Sequence, residues 1–365
     1  MNCVIIGGGL SGMLVARELA VAGVKVTVLE RGATGREASW AGGGILSPLH
    51  PWRYADPVSR LAAWSQQVFP ALAADLEAES GVDPEWTQSG LLVLDQRERA
   101  QAEGWAGKFD VELHALDAAG VQSCEPALAG TAGPGLWLPK VAQVRNPRLL
   151  QALRGSLAAR GVSVRENVAV TGLQTQAGCV TGVETADGVV AAEQVVVAGG
   201  AWSASLLDRV GLEVKVVPVR GQMILFHGPP DTVKRIVLKD ARYIIPRRDG
   251  RVLCGSTLEY VGFDKQTTDG AQEELKAFAV DLVPALADCT IERHWAGLRP
   301  GSPQGIPWVG GFSKIKGLYV NAGHFRNGVV LGPASARLLA DLMLGRRPIL
   351  DPSPYIPDRP GHDES

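Results

Sequence analysis

Apolar positions along the chain switch repeatedly between strand-like runs and helical spacing. Residues 3–6 form a short apolar run with β-branched members, broken at once by Gly7-Gly8-Gly9. Over residues 10–21, Leu10, Met13, Leu14, Leu19 and Ala20 recur at about helical spacing, and Gly23 stops the helix. Residues 24–29 predict a second strand ending at Glu30. Strand, Gly-rich turn, helix and strand make one right-handed βαβ unit.

Further on, the spacing of Leu61, Trp64, Val68, Leu72 and Leu76 predicts a helix over 57–81. A strand is expected at 90–94 and a polar helix at 95–107. Asn146-Pro147 is a good helix start, so 149–159 is expected to be helical. Short strands follow at 162–164, 168–173, 182–185 and 193–198. A strand element is expected at 216–226, and strands 243–246 and 251–255 flank the turn Arg248-Asp249-Gly250, a hairpin signal. The spacing predicts a helix over 272–283, a strand over 318–321, a loop over 323–328 and a last helix to 344.

No linker is long or polar enough to separate two sequential domains. Nucleotide-binding patterns lie at both ends and in the middle of the chain. Two interleaved domains are therefore expected. Residues 1–81, 141–216 and 292–365 would bind a dinucleotide, and 82–140 and 217–291 would bind substrate.

Composition narrows the function. The chain has 365 residues, is 46% hydrophobic and has a formal charge of −2. A disordered chain would be poorer in apolar residues, and a nucleic-acid binder would show a basic excess. The five cysteines, Cys3, Cys124, Cys179, Cys254 and Cys289, are odd in number and widely spaced, which disfavours a disulfide framework or a zinc site. Reduced thiols suit a cytoplasmic setting. No apolar run approaches the ~18–20 residues of a membrane span, and the N-terminus lacks the basic region of a signal peptide. No stable membrane association and no metal are expected.

Gly7-x-Gly9-x-x-Gly12 follows the first strand and opens the helix. Gly7 would allow the tight turn, Gly9 the approach of a pyrophosphate to the backbone, and Gly12 close packing of helix on strand. The helix N-terminus would offer N–H groups and partial positive charge to phosphates. Glu30, 18 residues past Gly12, could accept from ribose hydroxyls and would repel a 2′-phosphate. This fingerprint does not separate NAD from FAD.

Four further segments do. They are Arg36-Glu37-Ala38-Ser39-Trp40-Ala41-Gly42-Gly43-Gly44-Ile45, Val195-Val196-Val197-Ala198-Gly199-Gly200-Ala201-Trp202-Ser203, Trp295-Ala296-Gly297-Leu298-Arg299-Pro300 and Gly323-His324-Phe325-Arg326-Asn327-Gly328-Val329-Val330-Leu331. With them the chain resembles the D-amino-acid oxidase family of FAD enzymes, from residue 1 to about 344. The resemblance implies a mixed α/β fold: a Rossmann-like FAD-binding domain interleaved with a substrate domain built on an antiparallel sheet. It implies Leu10 and Ser11 at the pyrophosphate and Glu30 and Arg31 at the adenosine. Ala38 and Ser39, then Gly43, Gly44 and Ile45, would run along the flavin, with Gly199 and Trp202 among the cofactor residues. Val170 would meet the adenine through its backbone. His324, Phe325, Arg326, Asn327, Gly328, Val329 and Val330 would wrap the isoalloxazine end. No Cys lies between Arg299 and Arg326, so the FAD is expected to be non-covalent.

Tyr243, Arg299 and Arg326 are the expected substrate residues. A guanidinium offers a two-donor fork that matches a planar carboxylate. The structural alternative for Arg299 is pairing with an internal Asp or Glu. For Tyr243 it is packing into a sheet, and for Arg326 pairing with a surface acid. No side chain stands out as a catalytic base. His324 is the nearest candidate and is read as a flavin-loop residue. The helix starting near Gly328, if its N-terminus faces the flavin, would stabilise negative charge there. Leu258 and Ala241 replace a Met and a His found in a family member, which bears on substrate preference.

The resemblance implies oxidation of glycine and other small amines (sarcosine, D-alanine) with dioxygen as acceptor, and a homotetramer. The products would be an imine, then glyoxylate or the corresponding 2-oxo acid, ammonia and hydrogen peroxide. The imine would supply the thiazole of thiamine. The alternative is a D-amino-acid dehydrogenase that passes electrons to a quinone.

Overall fold

The structure, a computed structural model, describes residues 2–130 and 132–358. The last residues of the expected 292–365 segment lie outside the described residues.

Six strands form the first sheet. Their order is Trp308–Gly311, Leu318–Ala322, Gln194–Val197, Asn2–Ile6, Lys25–Leu29 and Ser163–Arg165. All neighbours are parallel except the outer pair Trp308–Gly311 and Leu318–Ala322. Cys3 and Ile5 enter a core shared with the helices Leu10–Val21, Asp56–Ser80, Asn146–Ala159 and Gly328–Met343. Val4 and Ile6 enter a second core with Leu173, Val180 and Val183 of the three-stranded sheet. Burial on both faces is why this strand is a continuous apolar run instead of an alternating one. The expected βαβ unit is present, and its helix Leu10–Val21 matches the predicted limits.

Eight strands form the second sheet. Their order is Thr290–Gly301, Val217–His227, Arg251–Gly255, Arg242–Pro246, Ile236–Lys239, Leu91–Val93, Gly135–Leu138 and His114–Leu116. Pairing is antiparallel except between Leu91–Val93 and Ile236–Lys239. Alternation sorts the side chains. Phe226, Ile244 and Cys254 pack with Leu275 of the helix Asp269–Leu282. Met223, Tyr243, Ile245 and Leu253 pack on the opposite face. The period of two thus places Tyr243 away from the helix-covered side.

One expected boundary falls within a strand. Residue 292 falls inside the strand Thr290–Gly301, which pairs with Val217–His227 from Thr290 to Gly301. The ladder continues past 292, so this segment belongs to the larger sheet. Gly297 and Pro300 hid the strand, since both are depleted in sheet interiors. Here the strand is at the sheet edge, where proline is tolerated. Gly135–Leu138, Ile236–Lys239 and Trp308–Gly311 are strands of only four residues that the hydrophobic pattern does not mark.

Candidate active site

A cavity of about 420 Å³ is walled by strand ends of the first sheet and by residues of the second, Tyr243 and Arg299 among them. Its wall is assembled from the segments singled out in the sequence. Gly7, Gly9, Leu10 and Ser11 line it from the first turn, and Glu30, Arg31, Ala38 and Ser39 from the next. Gly43, Gly44, Ile45, Val170, Gly199 and Trp202 continue the wall. His324, Phe325, Arg326, Gly328 and Val329 close one end. Gly12, Asn327 and Val330 are not on the lining. Val330 is fully buried and packs in the helical core.

The three turn glycines do different work. Gly7 has φ +111°, a left-handed conformation that side chains rarely adopt. A Cβ at Gly12 would collide with the Gly7 carbonyl, so helix and turn pack directly. A Cβ at Gly9 would meet just the Ser39 Oγ, 3.2 Å away, leaving backbone open to the cavity. Gly9, at the N-cap, has no side chain to cap the helix. The helix's first turn carries no acid, so its positive end is open to an anion in the cavity. The Leu10 N–H donates to Ser39 Oγ at 2.9 Å. Glu30 accepts from the Gly8 N–H at 2.8 Å and the Gly32 N–H at 3.0 Å, which fixes its carboxylate beside the turn.

At Arg31 the guanidinium carbon lies 3.6 Å from the Trp202 ring centroid, a cation–π contact. At the other end, Gly44 has φ +79°. The Gly43 carbonyl accepts from Arg247 at 2.7 Å. Arg247 also donates to Gln143 Oε1 at 2.6 Å and to the Val144 carbonyl at 3.0 Å. Burial pulls the Arg247 pKa down to about 10.

Gly323 and Phe325 have φ of 81° and 48°. These turns bring the chain to the start of the helix Gly328–Met343. That helix has no side-chain cap and no acid in its first turn. His324 is 2% exposed and its Nε2 has no hydrogen-bond partner. Burial lowers its pKa to about 4, so the imidazole is neutral near pH 7 and suits a packed loop residue better than a proton carrier.

Arg299 is half-buried. It donates to Ser256 Oγ at 2.8 Å, to the Thr257 carbonyl at 3.2 Å and to the Arg220 carbonyl at 3.3 Å. Burial lowers its pKa, with Tyr243 opposing and Arg326 adding to the effect. No ion pair to Arg299 occurs among the described residues, so the internal-acid alternative fails. Glu259 is nearby but is engaged by Arg220 and Gln222. Tyr243 is 6% exposed and its ring lies beside Gly43. Its hydroxyl faces Met223 Sδ at 3.9 Å. Arg326 donates to the Ala241 carbonyl at 3.2 Å and likewise has no ion pair among the described residues. Ala241 therefore does touch the site, whereas Leu258 is 45% exposed. None of the five cysteines lines the cavity.

The family described as DAO, FAD dependent oxidoreductase, matches residues 2–342. The chain belongs to this family. It is 50% identical over 360 residues to the glycine oxidase of Pseudomonas putida, covering 97% of this chain and 98% of that protein. It is 33% identical to the bifunctional protein ThiO/ThiG of Trichormus variabilis, over 95% of this chain and 53% of that protein. The crystal structure of glycine oxidase from Geobacillus kaustophilus superimposes with a TM-score of 0.93 at 30% identity, covering 98% of each chain.

The protein is an FAD-dependent amino-acid oxidase of this family, and FAD is its cofactor. The wall fits that group. The helix end at Gly9, with no acid in its first turn, suits a pyrophosphate, and the unpartnered His324 Nε2 on the lining suits a polar ring edge.

Three residues of the site escape sequence reasoning. Gly221 is one: a Cβ there would overlap the Arg299 guanidinium. Glycine inside a strand interior was the available signal. Arg247 follows a strand and precedes a turn, where an exposed arginine is expected. Ser256 carries no motif at all.

Proposed function

We propose that the protein oxidises glycine, and with it sarcosine and D-alanine, to the imine. The imine then hydrolyses to glyoxylate or the corresponding 2-oxo acid and ammonia. FAD, when bound, would supply the redox chemistry: it would accept a hydride (two electrons and one proton) from the substrate carbon, the substrate nitrogen would release a second proton, and dioxygen would take up both electrons and both protons as hydrogen peroxide. One observation carries this reading: Arg299 is a half-buried guanidinium on the cavity wall, beside Tyr243, with no ion pair among the described residues and with its pKa lowered by desolvation. A buried charge without a partner is costly. A substrate carboxylate would supply the partner and gain a two-pronged, charge-assisted bond. In the same reading Tyr243 donates to that carboxylate and Arg326, also on the cavity wall, helps bind and position it. The remaining residues act by positioning and field, with the helix at Gly328 favouring negative charge at its end.

The names of the relatives support glycine as substrate and thiamine synthesis as the use of the imine. The proposed working form is a cytoplasmic homotetramer, with the cofactor held non-covalently. No helix among the described residues is long and apolar enough to cross a membrane. Sedimentation as a monomer would remove the tetramer.

The deciding experiment supplies glycine, sarcosine and D-alanine in air and measures peroxide together with the flavin spectrum. Peroxide with glycine supports the oxidase. A flavin that bleaches with substrate yet yields no peroxide would point to the dehydrogenase and a separate electron acceptor.

A further inference from the structure

The segment 256–268 leaves the strand Arg251–Gly255 and runs to the helix Asp269–Leu282. Its root holds Arg299 through Ser256 and Thr257. Its middle crosses to the other unit. The Phe263 ring stacks on Trp202, with centroids 5.4 Å apart and planes 25° apart. Trp202 in turn carries Arg31, and both line the cavity. Lys265 pairs with Glu37 at 3.0 Å, and Glu37 also pairs with Arg31 at 3.1 Å. From behind, the buried Arg220 ties the segment down through Glu259 at 2.5 Å and Asp264 at 2.6 Å.

We propose that this segment is a strap whose Phe263 and Lys265 hold the Arg31–Trp202 wall closed and thereby retain the cofactor. The inference rests on the FAD site and not on the choice of substrate. The tip contacts are of a kind that can open. Phe263 is 47% exposed and the lysine pair is at the surface, so each contact is individually modest. The root is held by buried Arg220 through Glu259, whereas Asp264, 46% exposed between Phe263 and Lys265, would have to leave Arg220 for the tip to open. Phe263 is a large apolar side chain that the substrate sheet itself does not bury. Its contact on Trp202 gives a physical reason for its position.

The test dilutes holoenzyme and follows free FAD by its fluorescence, in wild type, Phe263→Ala, Lys265→Gln and Tyr260→Ala. Tyr260 is 71% exposed on the same segment and outside the stack. Loss of one aromatic contact is expected to speed release roughly fivefold in Phe263→Ala. Lys265→Gln should speed it by a smaller factor, and Tyr260→Ala should leave it at the wild-type rate. Wild-type release from Phe263→Ala overturns the proposal. Equal acceleration in all three also overturns it, because the effect would then belong to the segment's general order. Phe263→Leu keeps the apolar bulk and loses the ring. If Phe263→Ala does not fold, faster release from Phe263→Leu supports the proposal and unchanged release overturns it.

Discussion

The Arg299 guanidinium occupies the space that a side chain at Gly221 would fill. Gly221 faces Gly297 across the ladder and Arg299 faces Val219, so the arginine sits diagonally over the glycine on the same face. Gly221 is not among the positive-φ glycines, so its backbone tolerates alanine. Space alone would be lost. Gly221→Ala is expected to raise KM for amino-acid substrates roughly tenfold, by displacing one two-pronged charged contact. Flavin absorbance should show that FAD stays bound. An unchanged KM would mean that Arg299 can bind from another position.

Arg299→Lys keeps the charge and loses the fork. Ser256 Oγ and the two carbonyls would also lose their donor. Truncating a buried charged contact costs 2–5 kcal/mol, so kcat/KM for glycine should fall by roughly 30-fold or more. A small amine lacking a carboxylate serves as the comparison. Equal losses on both substrates would show that Arg299 acts on the fold and not on the carboxylate.

The first βαβ unit was legible because its information is local: an apolar run, three glycines and a helical spacing within some 30 residues. Tyr243, Arg299 and Arg326 were legible through family motifs, and all three lie on one cavity. Their setting was not legible. Gly221 and Arg299 meet through a long-range ladder, and the strand that carries Arg299 was masked by its own Gly297 and Pro300. Arg247 sits in the sequence Arg247-Arg248-Asp249-Gly250, which has the look of an exposed turn. Its burial is decided by residues Gly43, Gln143 and Val144 on other parts of the chain. No local pattern carries such information.

Arg247 should matter to the cofactor without touching it. It anchors the Gly43 carbonyl, and Gly43 lines the cavity. Arg247→Met keeps much of the side-chain volume but leaves three acceptors unpaired, at about 1–3 kcal/mol for each one that water cannot reach. Relief of a buried charge offsets part of that cost. The expected result is a lower Tm and weaker FAD binding in titrations of the apoprotein, by roughly tenfold if 1.4 kcal/mol is transmitted to the Gly43–Ile45 wall. Wild-type affinity for FAD would confine Arg247 to packing.

His324 makes the apoprotein sensitive to mild acid. Its folded pKa is lowered to about 4 by burial, from 6.5. Between those values the unfolded chain binds the proton and the folded chain does not. Its stability contribution is therefore complete above pH ~6.5 and is lost as the pH falls towards 4, up to about 3 kcal/mol. His50 is lowered to about 4 as well, by burial and then Arg53, and adds to the same slope. Glu79 is lowered to about 2 from 4.5, chiefly by hydrogen bonds from Arg160, Ser156 and Arg17 working against burial. Its loss begins only below pH 4.5. Between 6.5 and 4.5 His294, lowered by burial, adds to the slope, while Glu18, raised above 4.5 by burial, opposes it at the acid end. In that range Tm of the apoprotein should fall with pH, and His324→Asn should make the slope shallower. An unchanged slope in His324→Asn would show that this ring takes up its proton in the folded protein as readily as in the unfolded chain.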